Sequence, residues 1–371
     1  MNIYKAIKHY LKNTDLYLIT LALACSIYGI ILIYSATLTV HSIRYVLIQL
    51  AATIVGLIAF IVMSLFDLDA ISGWWRIFFV LNILLQIPLF FMPETNGQRA
   101  WIPLADGAIS LQPGEIGKLL FIFTFSAHLS EIHERLNEWR GICALGLHTI
   151  IMMCVIILAS KDTGMAIQYF MIALIIMFAV GLAWKWVVGG LAIGLASLPI
   201  LWNFILQDYQ KLRILVLFEP TLDVDTSRQT VNGQIAIGSG QMFGQGLTKG
   251  TMTQMNFVLE KRTDYIYAVA GEELGFVGSM LIIVLLVLLI GRLFYISYSS
   301  STLFSSMLAV GIAGMFLFQT FMNIFMCIGL LPIMGLTLPL FSYGGTSVVT
   351  MYAALGIATG VGMREKPSWL Q

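Results

Sequence analysis

Ten apolar runs alternate with polar connections along the chain, at about 16–34, 45–66, 74–92, 113–129, 142–159, 165–182, 186–205, 266–290, 303–330 and 347–362. Each is close to the roughly 20 residues that a helix needs to cross the hydrocarbon core of a bilayer. The pattern predicts an all-α polytopic membrane protein with about ten transmembrane helices. The ninth run is long enough to tilt or to end in a re-entrant turn before Pro332, and a Gly- and Pro-rich stretch, 332–345, follows it. One connection stands apart. Residues 206–263, between runs seven and eight, are long and polar, carry Lys211, Arg213, Arg228, Lys249, Lys261 and Arg262, and run directly into Asp264. The chain, 1–371, reads as one transmembrane domain with this loop inside it.

Composition agrees with the pattern and placement of charge orients it. The hydrophobic fraction is 59% and the charged fraction 11%, too few charges to cover a soluble domain of 371 residues. The net charge of +1 says little, but the basic residues in the short connections are unevenly divided. Lys5, Lys8, Lys12, Arg76, Arg135, Arg140, Lys185, Arg292, Arg364 and Lys366 fall on one side, and only Arg44, Arg99 and Lys161 on the other. The positive-inside rule puts both termini in the cytoplasm and the long loop, with Asp264, on the outer face. The loop's own basic residues do not oppose this, because long loops translocate largely regardless of charge. The first apolar run lacks a small-residue cleavage site and reads as a retained span. Cys25, Cys143, Cys154 and Cys327 all lie in apolar runs without a CxxC pair and read as small core residues.

Ionisable groups in or beside spans are functional candidates, because burying them is expensive. Asp264 sits where the basic loop meets an apolar run, a place suited to a lipid with a charged head group. Glu115 and Lys118 are three apart at the start of the fourth run, on one helix face, in an order that suits both an ion pair and the helix dipole. They read either as a structural salt bridge or as substrate contacts. Asp162, before Thr163-Gly164, is either an N-cap for the next span or a functional acid. Glu272 and Glu273 are adjacent in the eighth run and need polar partners inside the bundle. Arg99 and Trp101, in the outer connection between runs three and four, read as an interfacial anchor or a ligand contact. The glycines of Gly233-Gln-Ile-Ala-Ile-Gly238-Ser-Gly240 and Phe243-Gly-Gln-Gly246 would let backbone amides approach a phosphate, although no P-loop lysine follows.

Taken in order, the motifs resemble those of the SEDS family, which comprises RodA, FtsW and SpoVE. They are Asn96-Gly-x-x-x-Trp101-Ile, Gln112-Pro-x-Glu115-x-x-Lys118, Asp162-x-Gly164, Ala236-Ile-Gly-Ser-Gly240, Glu260-x-x-Thr-Asp264, Gly271-Glu-Glu-Leu-Gly275, Asn323-Ile, Gly329-Leu-Leu-Pro332 and Ser342-Tyr-Gly-Gly-Thr-Ser347. The resemblance covers nearly the whole chain. Gly246-Leu-Thr-Lys249-Gly-Thr and Thr253-Gln-Met-Asn256-Phe are more similar to the elongation branch of the family than to its division branch. Two departures occur: Val258-Leu-Glu-Lys-Arg262 replaces a Pro- and His-containing segment, and Ala100 stands where many members carry a basic residue.

The resemblance implies a peptidoglycan glycosyltransferase that polymerises lipid II at the outer face of the bacterial cytoplasmic membrane, for cell elongation and shape. It implies a divalent cation, Mg or Mn, with ligands unknown. It also implies a class B penicillin-binding protein and other elongation-complex membrane proteins as partners, with no role for nucleic acid. By position, Asp264 matches the catalytic carboxylate, and Trp101, Glu115, Lys118, Asp162 and Glu260 match other site positions. One base suffices for this chemistry, because pyrophosphate leaves without an acid, and cations must stabilise it. Arg99, Lys118, Lys249 and Arg262 are the cations available by sequence. The competing reading is a lipid II flippase, which would need ionisable groups spread through the membrane. Here they cluster toward the outer side.

Overall fold

The computed structural model describes residues 12, 14–40, 42–95, 97–104, 109–206, 208–219 and 221–364. Lys5, Lys8 and Lys366 of the orientation argument, and Asn96 of the Trp101 motif, lie outside the described residues. All ten apolar runs are helical. The first seven are α1 (Leu16–Thr37), α2 (Arg44–Leu65), α3 (Trp75–Gln86, with short turns at both ends), α4 (Pro113–Ile132), α5 (Trp139–Ser160), α6 (Thr163–Ala179) and α7 (Trp184–Ile200). The long connection is not simply a loop: it holds α8 (Asp208–Phe218), α9 (Val224–Ser239) and the single turn α10 (Thr251–Gln254). The last three spans are α11 (Ile266–Tyr298), α12 (Leu303–Cys327) and α13 (Gly345–Arg364).

Eight helical stretches are long and apolar enough on their own to cross a membrane, so this is a multi-pass membrane protein. The two of the ten that fall short are α4, which carries Glu115 and Lys118, and α6, only 17 residues long. α4 buries Glu115, Lys118, Thr124 and Ser126 inside the bundle, whereas α6 is apolar and merely short, with Gln168 its buried amide. α12 and α13 are largely buried and form the centre, whereas no residue in the α7 span is buried and that helix stands at the rim.

α11 explains how the long connection is seated. Its 33 residues would run about 50 Å, well beyond the roughly 30 Å of hydrocarbon. Gly275 interrupts it, with φ 68° and ψ −161°, a conformation that a side chain would resist. The amides freed there are not orphaned. Phe276 N–H donates to the Gln241 carbonyl at 2.8 Å and Val277 N–H to that of Met242 at 3.1 Å. The connection is thus stitched into the break, and the buried stretch before Gly275 leads back to Asp264.

The basic residues divide between the ends of the bundle as the connections suggested. Arg292 pairs with Asp15 at 2.7 Å, Arg76 with Glu131 at 2.8 Å and Arg364 with Asp67 at 3.5 Å, all at the end opposite Asp264. One expectation is refined and one is corrected. The connection between α3 and α4 contains a small antiparallel hairpin, β1 (Ile102–Leu104) with β2 (Ile109–Leu111), within an otherwise all-α fold. Cys143 and Cys154 are exposed on α5 instead of sitting in the core, since that helix packs inward through one face only.

Candidate functional site

Asp264 immediately precedes Tyr265, the N-cap residue of α11, and the bundle grips the chain on either side of its carboxylate. Three successive carbonyls are held. That of Arg262 accepts from Tyr343 N–H at 2.8 Å, that of Thr263 from Ser342 Oγ at 2.5 Å, and that of Asp264 from Asn323 Nδ2 at 2.8 Å and Cys327 Sγ at 3.4 Å. Glu260 closes the turn, its carbonyl accepting from Thr263 and Tyr265 N–H and its Oε2 from Thr263 Oγ1 at 3.1 Å. The carboxylate itself is left alone: among the described residues neither of its oxygens accepts a hydrogen bond. Burial pushes the Asp264 pKa up to about 7, Glu260 and Asp162 push in the same direction, and Arg213 opposes them.

A strap without regular structure, residues 332–338, passes in front of this carboxylate. At Gly335, where φ is 69°, a Cβ would lie 3.8 Å from Asp264 Oδ2. Three strap carbonyls are pinned from three directions. That of Ile333 accepts from Arg213 Nη1 at 3.1 Å, that of Leu336 from Asn323 Nδ2 at 2.7 Å, and that of Thr337 from Gln319 Nε2 at 2.9 Å. The Gly- and Pro-rich stretch after the ninth run is therefore a wall of the site.

Glu115 and Lys118 form the expected pair, 2.8 Å apart and almost dry, with side-chain exposures of 5% and 0%. The ammonium also donates to Gln168 Oε1 at 3.3 Å and Gln319 Oε1 at 3.4 Å, and Gln168 Nε2 donates to Gln319 Oε1 at 3.0 Å. Gln319 is also the residue that grips Thr337, so the ion pair supports the strap through one amide. Glu115 Oε2 is buried without a partner. Asp162 is an N-cap, its Oδ1 accepting from Met165 N–H at 2.9 Å. Burial pushes its pKa up to about 6, helped by Glu115. The two readings of Asp162 merge: it caps α6 and its charge is felt at Asp264.

The cations proposed for phosphate fare differently from one another. Arg99 is engaged by Glu94 at 2.7 Å, a carboxylate it shares with Lys161 at 2.5 Å. Those two cations hold the Glu94 carboxyl below its usual range, Lys161 most strongly. Arg262 lies over the Tyr45 ring at 4.4 Å. Lys249 is exposed, with no side-chain partner among the described residues. Lys118 is dry. Lys261, counted with the basic loop, is structural: buried, it donates to Thr39 Oγ1, Asn256 Oδ1 and the Thr253 carbonyl at 2.6 Å. Trp101 is 41% exposed, just before β1.

The glycine-rich stretch does not present its amides to a phosphate. Gly244 N–H bonds the Gly240 carbonyl, and the amides of Gln245 and Gly246 bond the carbonyls of Glu272 and Glu273. Glu272 accepts from Met252 N–H at 2.6 Å and from Thr253 N–H and Oγ1, while Glu273 accepts from Ser35 Oγ, Thr248 N–H and Gln254 Nε2. The adjacent pair holds down the connection around α10.

Sequence reasoning missed Arg213, Gln319 and Asn323 as parts of the site. Arg213 was one basic residue among six in a polar stretch. The two amides did carry a signal, since they are polar, one turn apart and set in an apolar helix. A cavity of about 400 Å³, lined by Ser72, Trp75, Arg76, Ser130, Glu131 and Phe304 among others, lies at the far end of the bundle and does not include Asp264.

This geometry defines a helical multi-pass membrane protein with a carboxylate, Asp264, whose main chain is fixed by the bundle and whose oxygens accept no hydrogen bond among the described residues. The family described as "Cell cycle protein", that of FtsW, RodA and SpoVE, matches residues 15–366, and the chain belongs to it. It is 29% identical over 363 residues to the peptidoglycan glycosyltransferase MrdB of Escherichia coli K12, covering 95% of each chain. It is 31% identical over 382 residues to the probable peptidoglycan glycosyltransferase FtsW of Bacillus subtilis, covering 98% of this chain and 94% of that one. Among solved structures it resembles a chain of a peptidoglycan synthase complex that coordinates polymerization and crosslinking (TM-score 0.82, 25% identity, 96% and 99% of the two chains). It also resembles the rod shape determining protein RodA of Thermus thermophilus (TM-score 0.71, 25% identity, 96% and 98%).

Proposed function

We infer that this chain is a peptidoglycan glycosyltransferase that joins lipid II disaccharides into β-1,4 glycan at the outer face of the bacterial cytoplasmic membrane, with Asp264 as its base. One observation carries the assignment of the base. Asp264 has its main chain fixed on every side while its carboxylate has no hydrogen-bonding partner, so it is positioned and available. A pKa pushed up to about 7 matches a general base to a near-neutral environment. As the acceptor's 4-hydroxyl attacks the anomeric carbon of the donor, its proton passes to a carboxylate oxygen of Asp264. The bond from that carbon to the pyrophosphate oxygen breaks, and the lipid pyrophosphate leaves with the electron pair. Attack from the opposite face inverts an α-linked donor to a β-linked product. Asp264 then returns its proton to water.

Arg213 favours the ionised base and holds the strap. Lys249 and Arg262 supply cationic charge for the pyrophosphate, and Trp101 offers an interfacial ring to the substrate. Among the described residues no group of three or more His, Cys, Asp or Glu side chains is gathered as a metal-ligand set. A class B penicillin-binding protein and other elongation-complex proteins are the partners proposed, with both termini in the cytoplasm. The test is to supply purified protein with labelled lipid II and Mg²⁺ or Mn²⁺ and to resolve the products on a gel. Glycan strands are expected. Transport of lipid II across proteoliposomes without any glycan would replace this reading with the flippase.

A further inference from the structure

The strap that passes Asp264 is polarised in its hydrogen bonding. Its carbonyls at Ile333, Leu336 and Thr337 are taken by side chains of α8 and α12. Its amides are not taken: the N–H groups of Ile333, Met334, Gly335, Leu336 and Thr337 have no acceptor among the described residues. The segment is mostly half-buried or exposed, so these donors are left to water or to a ligand. Gly335 is exposed, and the segment is held in place by Arg213, Asn323 and Gln319 instead of by a neighbouring strand. A segment whose carbonyls are fixed and whose N–H groups are unused has donors left over for an amide-bearing ligand.

We propose that the unpartnered N–H groups of residues 333–337 are the subsite for the N-acetyl group of the acceptor sugar, whose amide carbonyl accepts from the strap while its 4-hydroxyl meets Asp264. The inference rests on the glycosyltransferase reading above. Charge selects this occupant over the pyrophosphate. Around the strap Asp264, Glu260 and Asp162 outnumber Arg213, and Lys118 is already paired with Glu115, a balance that disfavours a dianion. A neutral amide carbonyl is a strong acceptor that brings no charge. The side chains of α12 thereby act as positioning residues. Asn323 fixes the Asp264 carbonyl and the Leu336 carbonyl with one amide, so base and subsite are set from the same atom.

The experiment is hydrogen–deuterium exchange on the full chain in detergent, with and without lipid II, read at the amides of 333–337. The amides should exchange readily in the free protein and slow by tenfold or more with lipid II. A lipid II acceptor whose terminal glucosamine lacks its acetyl group should fail to protect them and should show KM raised about tenfold with kcat less affected, the effect of one lost hydrogen bond. Met334→Pro removes one donor, and if its melting matches wild type it should reproduce that KM rise. Asn323→Asp, which keeps shape but replaces the donor, should lower kcat and shift the pH profile of polymerisation as well. The proposal is overturned if the amides are already protected in the free protein, or if the deacetylated acceptor is used with an unchanged KM. If the wild-type protein makes no glycan at all, the glycosyltransferase reading has failed first, and exchange protection by lipid II remains the separate readout of the subsite.

Discussion

Two groups of carboxylates sit within ten residues of one another in sequence and are treated in opposite ways. Glu272 and Glu273, inside the first part of α11, are buried and saturated with donors from the backbone and hydroxyls around α10. Asp264, just ahead of the same helix, has its carbonyl bound by two donors and its carboxylate by none. A carboxylate whose lone pairs are all engaged stabilises a fold and cannot take a proton from a substrate without breaking bonds. One whose main chain is fixed and whose oxygens are free is prepared for chemistry. Sequence places Asp264 at the edge of a span and the glutamates inside it; which of them is left free is decided by where the donors point.

The sharpest way to break the comparison is Asp264→Asn. No hydrogen bond to its side chain is lost and a buried charge is removed, so melting near neutral pH should not fall below wild type, while polymerisation of lipid II falls by about 10²–10⁴-fold. A glycan yield at the wild-type rate from the folded variant would remove Asp264 as the base and leave Glu260 next in line.

Glu272→Ala should do the reverse. It strands the amides of Met252 and Thr253 and the Thr253 hydroxyl, each buried donor costing about 1–3 kcal/mol, so the main effect is a drop in melting temperature. Activity measured on the fraction still folded should be nearly unchanged, and a large loss of specific activity without a melting change would erase the distinction between the two groups.

Lys261→Met is a smaller structural perturbation and separates the basic residues in the same manner. It removes three bonds from a buried ammonium and should lower melting by an amount on the order of 1–3 kcal/mol, whereas Lys249→Gln, at an exposed and unpartnered position, should leave melting alone. If Lys249→Gln proves the more destabilising, the division of the loop's basic residues into structural and free is wrong.

The smallest effects are in pH dependence. Polymerisation should rise on an acid limb governed by Asp264, near pH 7. Arg213→Gln should move that limb upward, because a charge that favours the ionised form is lost, and Glu260→Gln should move it downward. For stability the sign is opposite to that of a salt-bridged acid. Between its ordinary value of 3.8 and about 7 the unfolded carboxyl ionises while the folded one keeps its proton. The contribution of this group to stability therefore falls as pH rises through that window and is level above it. Asp264→Asn should abolish this slope in melting curves taken between pH 4 and 7.

The amino-acid sequence by itself determined the class, the number of apolar helices and the division of charge between the two ends. Those depend on composition and on runs of about twenty residues, which no tertiary context can reverse inside a bilayer. It also determined the Glu115–Lys118 pair and the Asp162 cap, because both are contacts between residues three apart on one helix turn. What depended on partners distant in the chain was decided only by the tertiary structure. The break at Gly275 and the use of the loop glycines to bind α11 instead of phosphate both arise from contacts across many residues. So does the site itself. Arg213, Gln319 and Asn323 reach it from α8 and α12, separated from Asp264 by 51, 55 and 59 positions, and no local pattern encodes which polar group will meet a given carbonyl. A free carboxylate can be recognised only by counting the donors around it, and those donors come together when the helices pack.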